Sequence, residues 1–346
     1  MAVNESQLQP RWAAGRYLNV GGPAIALVAL AVCAIASMSY AETRIPFSTV
    51  LDSFLNQDDS FQQTVVRTVR LPRTLVALSV GAALGASGAL MQGVTRNPLA
   101  SPGILAVNAG AALAVILAAL YLGVEGVSAF AWFAFAGGGT AAFVVYYLAS
   151  MGAGGATPVK LALTGTAFSL FLGSFSAALL IANNRTLDEV RFWLVGDVIG
   201  RDMSLYLQTT PYFGAAFAGA LLLSRQVTTL SLGDDVASGL GQNIRRIRML
   251  AALAAVGLAG TAVALSGPIG FVGLVVPNSV RLITGANYRL VIPYSAGGGA
   301  ILLLSADLVS RALVREGLIF GHVPVGLLTP IVGVPVFIYF ARRMAR

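Results

Sequence analysis

The segment TLVALSVGAALGASGALMQG, residues 74–93, carries no charged side chain and decides the fold class of this chain. A helix needs about 20 consecutive apolar residues to cross the hydrocarbon core of a bilayer. Glycine and alanine recur within the segment, and such small residues let the backbones of membrane helices approach one another closely. We therefore predict a membrane-spanning helix over residues 74–93.

Long apolar segments continue over most of the 346 residues. Hydrophobic side chains make up 57% of the chain and charged ones only 10%, with a mean hydropathy of +0.80. A soluble domain averages about 25% charged residues, so a soluble all-α protein of this composition would have almost no polar surface. The composition therefore indicates a polytopic all-α membrane protein.

The charge-free segments divide into ten predicted spans. Residues 249–280 are too long for one span and are interrupted by Gly267, Pro268 and Gly270, so we interpret them as two helices. The predicted spans are residues 21–40, 74–93, 104–122, 128–149, 158–182, 204–223, 249–265, 271–282, 289–311 and 323–341. Together they form a single predicted transmembrane domain, residues 1–346.

A short motif occurs twice in the chain. A Ser-Gly pair ending at Gly88 precedes Pro98, and another ending at Gly267 precedes Pro277. The glycine and the proline of the second copy each lie 179 residues after those of the first. The second predicted span runs inward and the seventh outward, so spans 2–5 and 7–10 are predicted to be inverted repeats. Chance is the alternative explanation, because Ser-Gly pairs are common in a glycine-rich chain.

Basic residues predict the orientation of the chain in the membrane. An even number of spans places both termini on one side, and arginines near both ends place that side in the cytoplasm. Residues 1–20 are therefore interpreted as a polar cytoplasmic tail rather than a cleavable signal. Cys33 is the only cysteine, so no intrachain disulfide is possible.

Several arginines fall on the outer side, where the positive-inside rule does not favour them. Docking of an acidic partner would explain their position, and snorkelling of side chains at helix ends is the alternative. The predicted docking residues are Arg67, Arg70, Arg73, Arg311 and Arg315.

The chain carries no motif for an energy source and no catalytic set. It has no G-x-x-x-x-G-K-[ST] phosphate loop, and Lys160, its only lysine, follows Thr-Pro-Val. Asp307 is the one acidic residue inside a predicted span, whereas ion-coupled carriers normally keep acidic groups at mid-membrane. His322 is the only histidine, so we predict no metal site and no cofactor in this chain. A secondary carrier and an intramembrane enzyme are the alternatives, but we expect another subunit to supply the energy.

The predicted cytoplasmic loop, residues 224–248, contains a short amphipathic stretch that a motor subunit could grip. Leu230, Val236 and Leu240 are apolar. Asp234 and Asp235 lie at the expected start of a helix, where the helix dipole favours acidic side chains. An ordinary connecting loop is the alternative interpretation.

Four stretches of the chain resemble the FecCD-type permeases of ABC importers for iron–siderophores, haem and vitamin B12. They run from RLPR to PG at 70–103, over FWLVG at 192–196, from LSLG to RR at 230–246, and from SGPIG to PVG at 266–326. The order of the family is kept over roughly residues 60–341. The motif positions carried over are Gly88, Gln92, Asn97, Pro98, Gly267, Pro268, Gly270, Pro277, Pro324 and Gly326.

The resemblance implies a ten-helix permease without enzyme activity. Its partners would be a second permease, two cytoplasmic ATPases that bind ATP and Mg, and an extracytoplasmic substrate-binding protein, with no nucleic acid. It implies a place in the bacterial plasma membrane and a ferric siderophore as substrate, with haem or cobalamin as alternatives. The ATPases would contact Leu230, Gly233, Asp234, Asp235, Ser238, Leu240 and Gly241.

Two positions depart from the family pattern. The chain has Asn278 after Pro277, where the family usually has histidine, and His322 before Val-Pro-Val-Gly, where the family usually has glutamate. These departures favour pairing with a related but different permease, and a homodimer is the alternative.

Overall fold

The computed structural model describes residues 12–40, 44–56, 60–151, 155–319 and 321–344, and within these ranges it contains fourteen helices and no strand. The all-α fold class is therefore confirmed. The helices are α1 (Trp12–Ser39), α2 (Phe47–Leu55), α3 (Phe61–Thr95), α4 (Val107–Leu122), α5 (Val127–Ser150), α6 (Pro158–Ala182), α7 (Asn184–Val195), α8 (Met203–Leu222), α9 (Ser224–Ser231), α10 (Asp234–Gly239), α11 (Ile244–Ser266), α12 (Val272–Thr284), α13 (Tyr288–Arg315) and α14 (Val325–Met344).

A helix lies at each predicted span, and these helices are α1, α3, α4, α5, α6, α8, α11, α12, α13 and α14. Six of them (α1, α3, α5, α6, α11 and α13) are long and apolar enough to cross a membrane. The apolar parts of α4, α12 and α14 are shorter, so crossing by all ten helices stays a prediction. Helix α1 begins at Trp12, so residues 12–20 of the predicted cytoplasmic tail are helical, and the cytoplasmic position of residues 1–20 stays a prediction. Residues 1–11 lie outside the described ranges.

Helix α3, which contains the segment 74–93, lies at the centre of the fold. It packs against α11, α12 and α13, and most of its apolar residues are buried. Glycines allow this close approach: a Cβ atom at Gly81 would lie 2.3 Å from the carbonyl oxygen of Gly299, and one at Gly88 would lie 1.9 Å from that of Gly273. Small residues therefore set the distance between α3 and its neighbours.

We expect Gly88→Ala to destabilise the fold, because the added methyl group overlaps the backbone of Gly273 and forces α3 and α12 apart. Overpacking of this kind costs about 1–3 kcal/mol. Gly173→Ala is the matched control, since a Cβ atom there meets no other atom within 4 Å. The measurement is the melting temperature and folded yield of each variant in detergent. Equal values for the two variants would contradict the close packing.

The two copies of the Ser-Gly motif lie at different places in their helices. Gly88 is in the middle of α3, whereas Gly267 follows the last residue of α11 with a φ of +73°. The first copy contacts the chain around the second copy: Gly88 packs on Gly273, and the Asn278 Nδ2 donates to the Pro98 carbonyl at 2.8 Å. The offset of 179 residues therefore does not relate equivalent helix positions, and the inverted-repeat relation between the two sets of spans stays a prediction.

Candidate functional site

A cluster of charged side chains surrounds Asp307, which is fully buried in α13. The Arg73 Nε, on α3, donates to the Asp307 Oδ1 at 2.9 Å. Arg311, one helical turn beyond Asp307, pairs with the other carboxylate oxygen. A buried charge is tolerated only when it is paired and hydrogen-bonded, so the two arginines are what keeps the Asp307 carboxylate in the interior.

The arginines of this cluster also bind the C-terminal end of α1. The Arg311 Nη1 donates to the carbonyl of Ser37 at 2.8 Å, and the Arg70 Nη1 donates to that of Met38 at 2.7 Å. Because α1 ends at Ser39, its last carbonyls have no partner within the helix, and cations are favourable at that end. The arginine cluster (Arg70, Arg73, Arg311 and Asp307) thus holds α1 against α3 and α13.

The five arginines predicted to dock a partner differ in their exposure. Arg70 and Arg311 are only 4% and 5% exposed, and the side chain of Arg73 is 13% exposed. In the unbound chain these three charges are used by intramolecular acceptors, and a docking role for them stays a prediction. Two further predicted residues are partly exposed: the Arg67 Nη2 donates to the Gln63 side chain at 3.0 Å, and the Arg315 guanidinium lies 4.9 Å from the Tyr40 ring centre. A docking role for Arg67 and Arg315 stays a prediction.

The loop after α7 meets the loop before α14 on the face that bears the arginine cluster. The His322 ring pairs with the Asp197 carboxylate, whose other oxygen accepts from the backbone N–H of Val198 at 2.8 Å. Burial acts to raise the pKa of Asp197, but the hydrogen bond and charge of His322, the Val198 N–H and the charge of Arg73 together outweigh it and lower that pKa. Burial lowers the pKa of Arg201 to about 10, so its guanidinium is still charged at neutral pH. Sequence reasoning missed this pair, because no local spacing relates residues 125 positions apart.

Three motif glycines explain why these loops lie together. The Gly326 N–H donates to the Gly196 carbonyl at 3.0 Å. A Cβ atom at Gly326 would lie 2.0 Å from the Val195 carbonyl oxygen, and one at Gly267 would lie 2.3 Å from that of Trp193. The separate FWLVG, SGPIG and PVG stretches therefore form one tightly packed junction, which only small residues permit.

A second group of motif residues surrounds Pro277 inside α12. Proline has no N–H, so the carbonyl of Gly273 loses its partner within the helix. The Gln92 Nε2, on α3, lies 3.4 Å from that carbonyl oxygen and 3.2 Å from that of Leu274, and donates to both. Asn278 donates to the Leu274 carbonyl as well, at 2.8 Å. The buried Gln92 thus compensates on α3 for a hydrogen bond that Pro277 removes from α12.

The remaining motif residues form turns. The Asn97 Oδ1 accepts from the N–H of Leu99 at 2.9 Å, next to Pro98. Pro268 has its carbonyl oxygen 2.4 Å from the position of a Cβ at Gly196, and Gly270 has open space around it. Pro324 lies between α13 and α14 and accepts from the N–H of Leu327 at 3.0 Å.

The predicted coupling loop consists of α9, α10 and the first turn of α11. Asp234 and Asp235 occupy the first turn of α10, as predicted. Leu230, the penultimate residue of α9, is fully buried and presents no surface to a partner in this structure. The exposed apolar residues are Leu232, Val236 and Leu240, the last with 69% of its surface accessible. Of the other predicted contact residues, Ser238 and Gly241 are exposed and Gly233 is half-buried.

Ion pairs fix α10 on the body of the protein. Asp234 accepts from the Arg248 Nη2 at 2.9 Å and pairs with Arg96, at the end of α3, at 3.1 Å. Gly233 enters α10 with a φ of +130°, a conformation that favours glycine. Asp234 therefore positions α10, whereas Leu240 and Val236 project from it.

A central apolar helix, further apolar helices packed on it and polar clusters at their ends define a multi-pass membrane protein. The sequence model of the FecCD transport family matches residues 29–343. The chain therefore belongs to the FecCD transport family, and the resemblance found in the sequence is confirmed.

Named relatives and a solved structure match this chain over most of its length. The Fe(3+)-citrate import system permease protein YfmD of Bacillus subtilis is 45% identical, over 83% of this chain and 84% of its own. The ferric enterobactin transport system permease protein FepD of Escherichia coli is 38% identical, over 92% and 94%. An inward-facing structure of a metal-chelate type ABC transporter superposes with a TM-score of 0.79 at 28% identity, covering 93% of this chain and 99% of that chain.

Proposed function

We propose that this chain is the permease subunit of a binding-protein-dependent ABC importer. The observation that carries the proposal is α10, a short helix held by the Asp234 ion pairs with Leu240 exposed beside it. An exposed apolar side chain on a rigid support is the form expected of an anchor for a partner protein. The chain itself has no phosphate loop, so a partner must bind the nucleotide.

The proposed assembly has a permease dimer at its centre. Two ATPase subunits, which bind ATP and Mg, contact the face that bears α10. A substrate-binding protein contacts the opposite face, where the arginine cluster and the His322–Asp197 pair lie. The proposal includes both termini in the cytoplasm and the chain in the bacterial plasma membrane. Asn278 and His322, which depart from the family pattern, favour a related second permease over a homodimer.

A ferric siderophore is the proposed substrate. The names of YfmD and FepD refer to ferric citrate and ferric enterobactin, and both relatives match this chain over most of its length. Haem and cobalamin are the alternatives within the family. A secondary carrier is less well supported, because Asp307, the buried acid of α13, is held in ion pairs with Arg73 and Arg311.

Reconstitution tests the proposal directly. We expect the purified chain to hydrolyse no ATP, and we expect liposomes to take up ferric siderophore only when the partner permease, ATPase subunits and binding protein are present with ATP. Parallel assays with haem and cobalamin identify the substrate class. Uptake driven by a proton gradient without any ATPase would show a secondary carrier and would overturn the proposal.

A further inference from the structure

Two cavities adjoin between α5 and α11, at the face that bears α10. The first has a volume of about 440 Å³ and is lined by polar and charged groups, among them Asp234, Arg245 and Arg248. The second, of about 300 Å³, is an apolar groove lined by side chains such as Phe143 and Leu253. Tyr146 and Ser150 line both cavities, so the charged cavity leads into the apolar groove.

The groove has the length of one lipid leaflet. Together with the charged cavity it follows α11 from Arg245 to Val256, a rise of about 16 Å at 1.5 Å per residue. Half of a hydrocarbon core about 30 Å thick is a similar distance. Phe143 and Leu253 are 69% and 61% exposed along this groove, so apolar surface is open to whatever fills it.

The charged cavity has an excess of positive charge. Arg245 and Arg248 both line it, and the single carboxylate, that of Asp234, is shared with Arg96 outside the cavity. Arg248 is 7% exposed, and within the described residues its Nε has no hydrogen-bond partner. A buried guanidinium with an unused donor is costly unless an anion or water completes its hydrogen bonds.

We propose that the two cavities together bind one anionic phospholipid. Its phosphodiester lies between Arg245 and Arg248, beside the hydroxyl of Tyr146, and one acyl chain lies in the groove between α5 and α11. Basic pockets between membrane helices bind anionic headgroups in this way, and tyrosine is favoured at the membrane–water interface. A water-soluble anion or an acidic protein segment would use the arginines but leave the groove empty.

The test measures the binding of phosphatidylglycerol to the delipidated chain in detergent by native mass spectrometry. Phosphatidylcholine, which is zwitterionic and has no net charge, is the reference lipid. We expect Arg245→Gln to weaken phosphatidylglycerol binding about five-fold, since one basic side chain contributes about that factor. Arg246→Gln is the matched control, because Arg246 is an exposed arginine at the next position and does not line the cavity. Phosphatidylcholine should bind the unaltered chain more weakly than phosphatidylglycerol, because its choline cation cancels the charge of its phosphate.

A second variant tests the groove separately. Ala252→Phe fills the apolar groove and keeps both arginines, so it should also weaken phosphatidylglycerol binding, and glycerophosphate should bind far more weakly than the intact lipid. Equal losses in Arg245→Gln and Arg246→Gln would show a diffuse basic surface and overturn the proposal. So would unchanged binding in Ala252→Phe, equal binding of glycerophosphate, or release of the lipid when the ATPase subunits bind, which would assign the cavity to a protein partner.

Discussion

Replacing Asp307 with asparagine is expected to destabilise the protein more than any other single change to its charged residues. The amide keeps the size of the side chain but leaves Arg73 and Arg311 without the carboxylate that both now share. Removing one partner from a buried ion pair costs about 3–5 kcal/mol, because the remaining charge is left uncompensated. The loss should appear as a lower melting temperature and a lower yield of folded protein in detergent.

The matched control is Asp188→Asn at an exposed ion pair. Asp188 and Arg191 are 65% and 55% exposed and 3.1 Å apart, and exposed pairs contribute about 0–1 kcal/mol. Adding Arg73→Met to Asp307→Asn should recover part of the lost stability, because it removes one unpaired cation. If Asp307→Asn melts at the same temperature as Asp188→Asn, the arginine cluster has no structural role.

Because Arg311 is buried and paired with Asp307, reversing its charge is a poor test of partner docking. Arg311→Glu would place a second carboxylate one turn from Asp307 in a buried site, so we expect impaired folding rather than a simple loss of binding-protein capture. Arg67 and Arg315 are more suitable for testing docking, since both are partly exposed.

Replacing Leu240 with aspartate is expected to weaken ATPase binding and lower ATP-driven uptake while leaving the permease folded. Leu240 is 69% exposed beside α10, so the fold does not need it, whereas an apolar anchor lost from an interface often costs about 1–3 kcal/mol of binding. The measurements are copurification of the ATPase subunits and uptake in liposomes. Asp234 is unsuitable for this experiment, because it also forms the ion pairs with Arg96 and Arg248.

Leu318→Asp provides the control for this experiment. Leu318 is 71% exposed, nearly the same as Leu240, but it follows α13 on the opposite face of the molecule. ATPase copurification should be normal for Leu318→Asp and reduced for Leu240→Asp. Normal copurification and uptake in Leu240→Asp would exclude α10 as the contact for the ATPase.

The sequence by itself determined the fold class, the positions of the apolar helices and the family. Hydropathy is a local sum over about 20 residues, so a helix lies at every predicted span, and local turn chemistry placed Asp234 at the start of α10. The Gly and Pro motifs could also be recognised in the sequence, because the missing side chain of glycine and the missing N–H of proline are properties of the residue type. What those motifs contact was not readable.

Only the tertiary structure decided which way the charged and apolar side chains at the helix ends point. Arg73 finds its acceptor 234 residues away, on Asp307, and His322 finds Asp197 at 125 residues. No local pattern encodes such pairs, so arginines that looked outward by the positive-inside rule proved to be buried. Leu230 shows the same limit: its apolar type was evident from the sequence, but its burial depends on contacts with helices that are distant in the sequence.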